Sequence, residues 1–137
     1  MKENKNYPKL RLSIVLWLMA AHSFLVGAGL IIQVPKVMEL FGFLPCHEQF
    51  FPAQGGVFHV VMAFGYALAA CDSVRYRCLI PFSIFVKAVA TLFLLVYFVF
   101  VDGILMILIS GIGDGVFCVI LSLAYISFDK HPKKKRV

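Results

Sequence analysis

The chain predicts an all-α, polytopic membrane protein, a four-transmembrane-helix bundle running up-down-up-down, and three observations lead there. Of its 137 residues, 61% are apolar and only 15% are charged, and the mean hydropathy is +0.91. A soluble globular domain does not carry that composition. Four apolar stretches are each long enough to cross a hydrocarbon core of roughly 30 Å. The basic residues gather on alternate connections between those stretches, as the positive-inside rule requires of a chain that crosses repeatedly.

The first span covers residues 12–34, free of formal charge at neutral pH. Its approach, Lys5, Lys9 and Arg11 before LSIVLWLMAA, imitates a secretory signal, but the apolar run continues past the roughly 7–15 residues of a signal core, so retention in the chain is expected. The outer loop, residues 35–53, contains Pro35 followed by Val37, Leu40, Phe41 and Leu44 at helical spacing. That pattern fits a short helix in the membrane interface, or equally a structured loop over the bundle. The second span, 54–71, is rich in small residues and closes on the charged turn Asp72 to Arg77. The third, 79–101, is dense in Phe, Leu and Val, and Asp102-Gly103 turns it into the fourth, 103–128. Residues 1–11 and 129–137 remain as basic tails.

Lys and Arg number four in the first tail, two in the Arg75/Arg77 turn and five after Asp129, against Lys36 alone on the other side. Both termini are therefore expected in the cytoplasm. Placed at span ends, this charge points to anionic lipid headgroups as partners and away from nucleic acid. The end Pro132 to Val137 also imitates a nuclear or dilysine signal, but a polybasic tail at an anionic leaflet accounts for it without a receptor.

Each span holds one ionisable residue: His22, His59, Lys87 and Asp114. Counted from the cytoplasmic ends at 1.5 Å per residue, all four fall within a layer of roughly 10 Å. A lone charge at that depth costs about 2.5–3.5 kcal/mol, so such groups turn inward and pair, or mark a pathway. Lys87 and Asp114 flank the tight hairpin and are offset by roughly one helical turn, within reach of a lysine stem. Two readings stand. In one, Lys87 and Asp114 form a salt bridge that fixes hairpin register while the histidines donate to carbonyls. In the other, the histidines and the carboxylate relay protons or bind a polar substrate group.

Gly111, Gly113 and Gly115 surround Asp114 and are costly inside a helix, so they predict close helix packing or a kink; Gly111 and Gly115 form a GxxxG pair. No strand or aqueous face supports a nucleotide loop there. Gly27, Gly29, Gly55 and Gly56 make similar allowances near the outer end. Cys46, Cys71, Cys78 and Cys118 contain no CxxC pair, which argues against a thiol oxidoreductase or zinc site. Cys46-His47-Glu48 is too contiguous to converge on a metal. No metal and no cofactor is expected.

The layout resembles small DoxX-like bacterial membrane proteins across about residues 12–127: four spans, Gly55-Gly56 opening the second, the Asp72-x-x-Arg75-x-Arg77 turn after it, and Lys87 in the third. The resemblance implies a bacterial inner-membrane protein, in some members linked to a quinol oxidase or to sulfur and redox metabolism. It transfers no functional residue. Three classes of function follow: an accessory or structural subunit with a buried polar centre, a proton-coupled small-solute transporter or permease subunit, and a quinone- or lipid-linked membrane enzyme. No catalytic motif marks the third, so enzyme activity is not expected. Four short helices enclose little volume, so a homo-oligomer or a larger membrane complex is expected for transport.

Overall fold

The computed structural model describes residues 7–43 and 48–130; Lys2, Lys5, Leu44, Cys46, His47 and the segment from His131 lie outside the described residues. Among the described residues five helices follow one another: α1 (Tyr7–Ile32), α2 (Pro35–Leu40), α3 (Phe50–Cys71), α4 (Leu79–Phe100) and α5 (Leu105–Asp129). All but α2 are long and apolar enough to cross a membrane. The 22 residues of α3 and of α4 reach about 33 Å each at 1.5 Å per residue.

Proline placement shows why the helices begin where they do. Pro8, Pro35, Pro52 and Pro81 each sit in the first turn of a helix, where the missing N–H has no intrahelical partner to lose. Two boundaries lie earlier than the apolar runs suggest. α1 starts at Tyr7 because Lys9 and Arg11 can extend toward headgroups while their backbone stays helical. α3 starts at Phe50, ahead of Gln54, with Pro52 inside its first turn. The fourth span corrects in the other direction: Val101 to Ile104 make the connection, and α5 begins at Leu105.

α1 stops with Gln33 in the left-handed region (φ 48°), its N–H donating to the Gly29 carbonyl at 2.9 Å, and Pro35 then opens α2. α2 closes on Gly42 (φ 86°) in a Schellman arrangement, Phe43 N–H to Met38 O at 3.0 Å and Gly42 N–H to Glu39 O at 2.9 Å. No residue of α2 is buried. Gly42 lies beside Ile104, so the segment crosses from the end of α1 to the α4–α5 connection.

The long helices form a ring in the order α1, α3, α4, α5. The pairs α1/α3 and α4/α5 pack most extensively, α1 meets α5 less, and α3 meets α4 least. Successive helices are antiparallel neighbours, as short connections dictate. The distribution of side chains is inverted relative to a soluble bundle. Trp17, Phe24, Phe58, Phe64, Phe85, Phe93 and Val119 point outward, while Ser23, Ser73, Ser83, Lys87 and Asp114 are buried. Such a surface is stable only where the surroundings are hydrocarbon, and the chain is a multi-pass membrane protein.

An apolar core made of Leu12, Leu16, Met19, Ala20, Tyr66, Ala69, Ala70, Ile80 and Leu121 fills the basic end of the bundle, where α1 and α4 begin and α3 and α5 end. Hydroxyls inside the hydrocarbon layer are satisfied locally: Ser83, Thr91 and Ser122 each donate to the carbonyl four residues back at 2.6–2.8 Å. Ser13 instead crosses to α3, donating to Ala70 O at 2.8 Å.

Toward the α2 end, α1 and α3 meet backbone to backbone. A Cβ on Gly27 would lie 2.7 Å from the Gly56 carbonyl oxygen, and one on Gly56 would lie 2.6 Å from the Gly27 oxygen. Gly29 and Gly55 face open space. Gly56→Ala is therefore expected to destabilise the protein by about 1–3 kcal/mol through overpacking. Gly55→Ala should be neutral or stabilising by up to about 1 kcal/mol through helix propensity. Thermal unfolding of both variants in one detergent checks the difference.

Candidate functional site

One polar centre lies between the core and the α2 end. Lys87 projects from α4 and its Nζ pairs with Oδ1 of Asp114 on α5. Lys87 is 2% exposed and Asp114 5%. Aromatic faces complete the cation's surroundings: Nζ lies 5.7 Å from the ring centre of Phe117 and 5.9 Å from that of Tyr66. At these distances the ring quadrupoles add attraction for the ammonium.

The pair sits at one register with its neighbours. A Cβ on Gly115 would meet Thr91 at 3.3 Å and one on Gly111 would meet Leu94 at 3.2 Å, while Cys118 Sγ lies 3.6 Å from Ile84 O. Gly111 and Gly115 thus let α5 lie close along α4. Gly113 does not contribute: nothing lies within 4 Å of its missing Cβ, and α5 is one helix from Leu105 to Asp129. Close helix packing therefore runs through Gly111 and Gly115 and not through Gly113. It stands two residues off the Gly111/Gly115 face, beside open space.

His22 and His59 are both half-buried and stand within electrostatic reach of Lys87 and Asp114, and His59 also within reach of His22. The His22 ring packs on Phe117 with centroids 5.4 Å apart. Its Nδ1 is buried and makes no hydrogen bond, so the carbonyl bond expected for His22 is not made through that atom. His59 lies where α1 and α3 run closest, and a Cβ on Gly27 would come within 3.1 Å of its own Cβ. Of the four ionisable residues predicted for the centre, Lys87 and Asp114 are in direct contact, His22 meets Phe117 beside them, and His59 stands within electrostatic reach.

Tyr66 and Phe117 were not legible as part of this centre. Tyr66, 1% exposed, lies seven residues after His59 and Phe117 three after Asp114, helical spacings that share a face. An aromatic at such a spacing from an intramembrane charge is the signal that could have found them.

A second charged group occupies the basic end. Arg77 donates through Nε to the Tyr125 hydroxyl at 3.3 Å and pairs with Asp129, tying the α3–α4 turn to the end of α5. In the same turn Asp72 accepts from the amides of Val74 at 3.1 Å and Arg75 at 3.2 Å. Among the described residues no group of three His, Cys, Asp or Glu is placed to hold a metal, and Cys71, Cys78 and Cys118 are free thiols. Compared with models of protein families, with curated proteins and with solved structures, the chain matches none.

The amide of Arg75, with that of Val74, holds the Asp72 carboxyl below its ordinary value. A depressed pKa in the folded state means that the turn is supported above the unfolded carboxyl's value, about 3.9, and loses that support as pH falls through the folded value. Amide exchange at Val74 and Arg75, corrected for intrinsic rates, should stay protected at neutral pH and lose protection only below about pH 4. In Asp72→Asn, which keeps an acceptor that does not titrate, protection should not vary with pH.

Proposed function

We propose that this protein is a small accessory or structural subunit of a bacterial inner membrane, DoxX-like in layout, with both termini in the cytoplasm. The Lys87–Asp114 contact carries this reading. Its two charges neutralise each other inside the bundle, and their geometry sets the hairpin against which the other helices pack. In such a role the apolar outer faces meet lipid, a second copy of the chain or the other subunits of a membrane complex. The basic residues at the Arg77 end hold anionic headgroups.

A proton-coupled permease subunit is the second reading, favoured by two half-buried histidines beside a carboxylate. A quinone- or lipid-linked enzyme has no reacting group to its credit beyond those histidines.

A double-mutant cycle tests the first reading. Lys87→Met and Asp114→Asn should each destabilise by about 3–5 kcal/mol, because each leaves an uncompensated buried partner. The double variant should return to within about 1 kcal/mol of the parent, since two neutral groups of similar volume replace the pair. Thermal unfolding in nanodiscs reads both. If instead all variants are equally stable and Asp114 of the parent reacts with a water-soluble carbodiimide, the centre is hydrated and the permease reading takes its place.

A further inference from the structure

We infer that α2 is an interfacial anchor: its apolar face lies among the lipid chains just beneath the headgroups of the leaflet at the α2 end, with Lys36 and Glu39 turned toward headgroups and water. This goes beyond the structural role of the ion pair and uses none of its residues.

The face follows from spacing. Val34, Val37, Leu40 and Phe41 stand at helical intervals and share one side of α2, while Lys36 and Glu39 fall on the other. In a helix packed over the bundle the apolar side would be the covered one. Here it is open: all four of these side chains are exposed, Leu40 to 81%, and no residue of α2 is buried. The segment is held to the bundle by its ends instead. Gln33, in the left-handed region, turns the chain where α1 stops, and its Nε2 donates to the Gln49 carbonyl at 3.2 Å, which ties that turn to the start of α3. Beyond α2, Gly42 rests beside Ile104. The helix is therefore fixed at both ends while its apolar face is left outside.

Position and charge select the occupant. Ile31 and Ile32 close α1, Phe50 and Phe51 open α3, and Val101 and Leu105 flank the α4–α5 connection; all six are exposed. The apolar face of α2 thus continues the surface that the long helices turn to hydrocarbon. A helix with apolar residues on one side and an acid and a base on the other matches the boundary of a bilayer, where each side meets its own medium. The two ends of the bundle are held to the membrane by different means. At the far end Lys9, Arg11, Arg75, Arg77 and Lys130 are available to anionic headgroups, whereas Lys36 is the one Lys or Arg in residues 33–53 and 101–104. Where charge is scarce, the exposed face of α2 supplies the anchor.

The test uses the full chain in phosphatidylcholine liposomes, with Cys46, Cys71, Cys78 and Cys118 replaced by serine. One nitroxide is attached in turn at Lys36→Cys, Val37→Cys, Glu39→Cys or Leu40→Cys. Phe85→Cys, outward on α4, is the reference for a lipid-facing site. Collision with oxygen, which concentrates among lipid chains, is compared with collision with a water-soluble nickel chelate. Oxygen should prevail at the Val37 and Leu40 sites, at a depth of about 5–10 Å, and the chelate at the Lys36 and Glu39 sites. Chelate dominance at Val37 and Leu40 overturns the proposal, because α2 then stands in water. Low collision with both reagents there overturns it as well, since a second copy of the chain or the bundle itself then covers the face. So does oxygen dominance at all four sites, which sinks the whole helix below the interface. Should the cysteine-free chain not fold, Leu40→Trp with Trp17→Phe in the native background reads the same contact through a single tryptophan. Lipids brominated near the headgroup should then remove most of its emission, and quenching by aqueous iodide instead overturns the proposal. Neither readout involves Lys87 or Asp114, so this proposal and the ion-pair reading can fail separately.

Discussion

Two opposite charges in a medium that cannot solvate them have to meet, and the contact of Lys87 with Asp114 organises the helices around that requirement. The lysine stem spans the offset between its own position and that of Asp114, so the ammonium reaches the carboxylate while the helices keep ordinary packing distance. Once this register is set, Thr91 falls beside Gly115, Leu94 beside Gly111 and Ile84 beside Cys118. Tyr66 and Phe117 then bring α3 and the next turn of α5 to the same ammonium. A charged pair thus does at the middle of this bundle what an apolar core does in a soluble one, with more geometric demand and less tolerance of a lost partner.

The helices themselves need no such centre, because each satisfies its own backbone. The hydroxyls of Ser83, Thr91 and Ser122 fold back onto carbonyls of the same helix, and among the described residues prolines stand only where an N–H is dispensable. Cohesion between helices therefore rests on close approach. Gly27 and Gly56 bring α1 and α3 within backbone contact, and Gly111 and Gly115 draw α5 along α4. In hydrocarbon, where burying apolar side chains offers no advantage over lipid, the absence of a side chain is what lets dispersion forces act across the interface.

The two ends of the bundle are not equivalent. At the basic end a continuous apolar core, the Ser13 bond to Ala70 and the Arg77–Asp129 pair join all four long helices. Toward α2 the joining is pairwise, and α4 presents a half-buried inward stripe. The polar centre lies at the boundary between these regimes, so it anchors the packed half and forms the floor of the looser one.

The sequence by itself determined the class of protein, the number of crossings and the depth of the polar residues. Length, hydropathy and charge act locally, and a bilayer converts each directly into position along its normal. Thus Pro35 followed by a helical pattern led to α2, and the placement of Lys87 and Asp114 across a tight hairpin led to their pairing. What depends on rotation about a helix axis was decided only by tertiary structure. Of the paired glycines, Gly27 rather than Gly29 and Gly56 rather than Gly55 make the contact, and Gly113 stands beside open space while Gly111 and Gly115 pack. Nor could a pattern of single residues reveal that Tyr66 and Phe117 would close around the ammonium, or that Nδ1 of His22 would be buried without a partner. Hydropathy records how deep a residue lies in the membrane; which neighbour it faces follows from the packing of one helix on another.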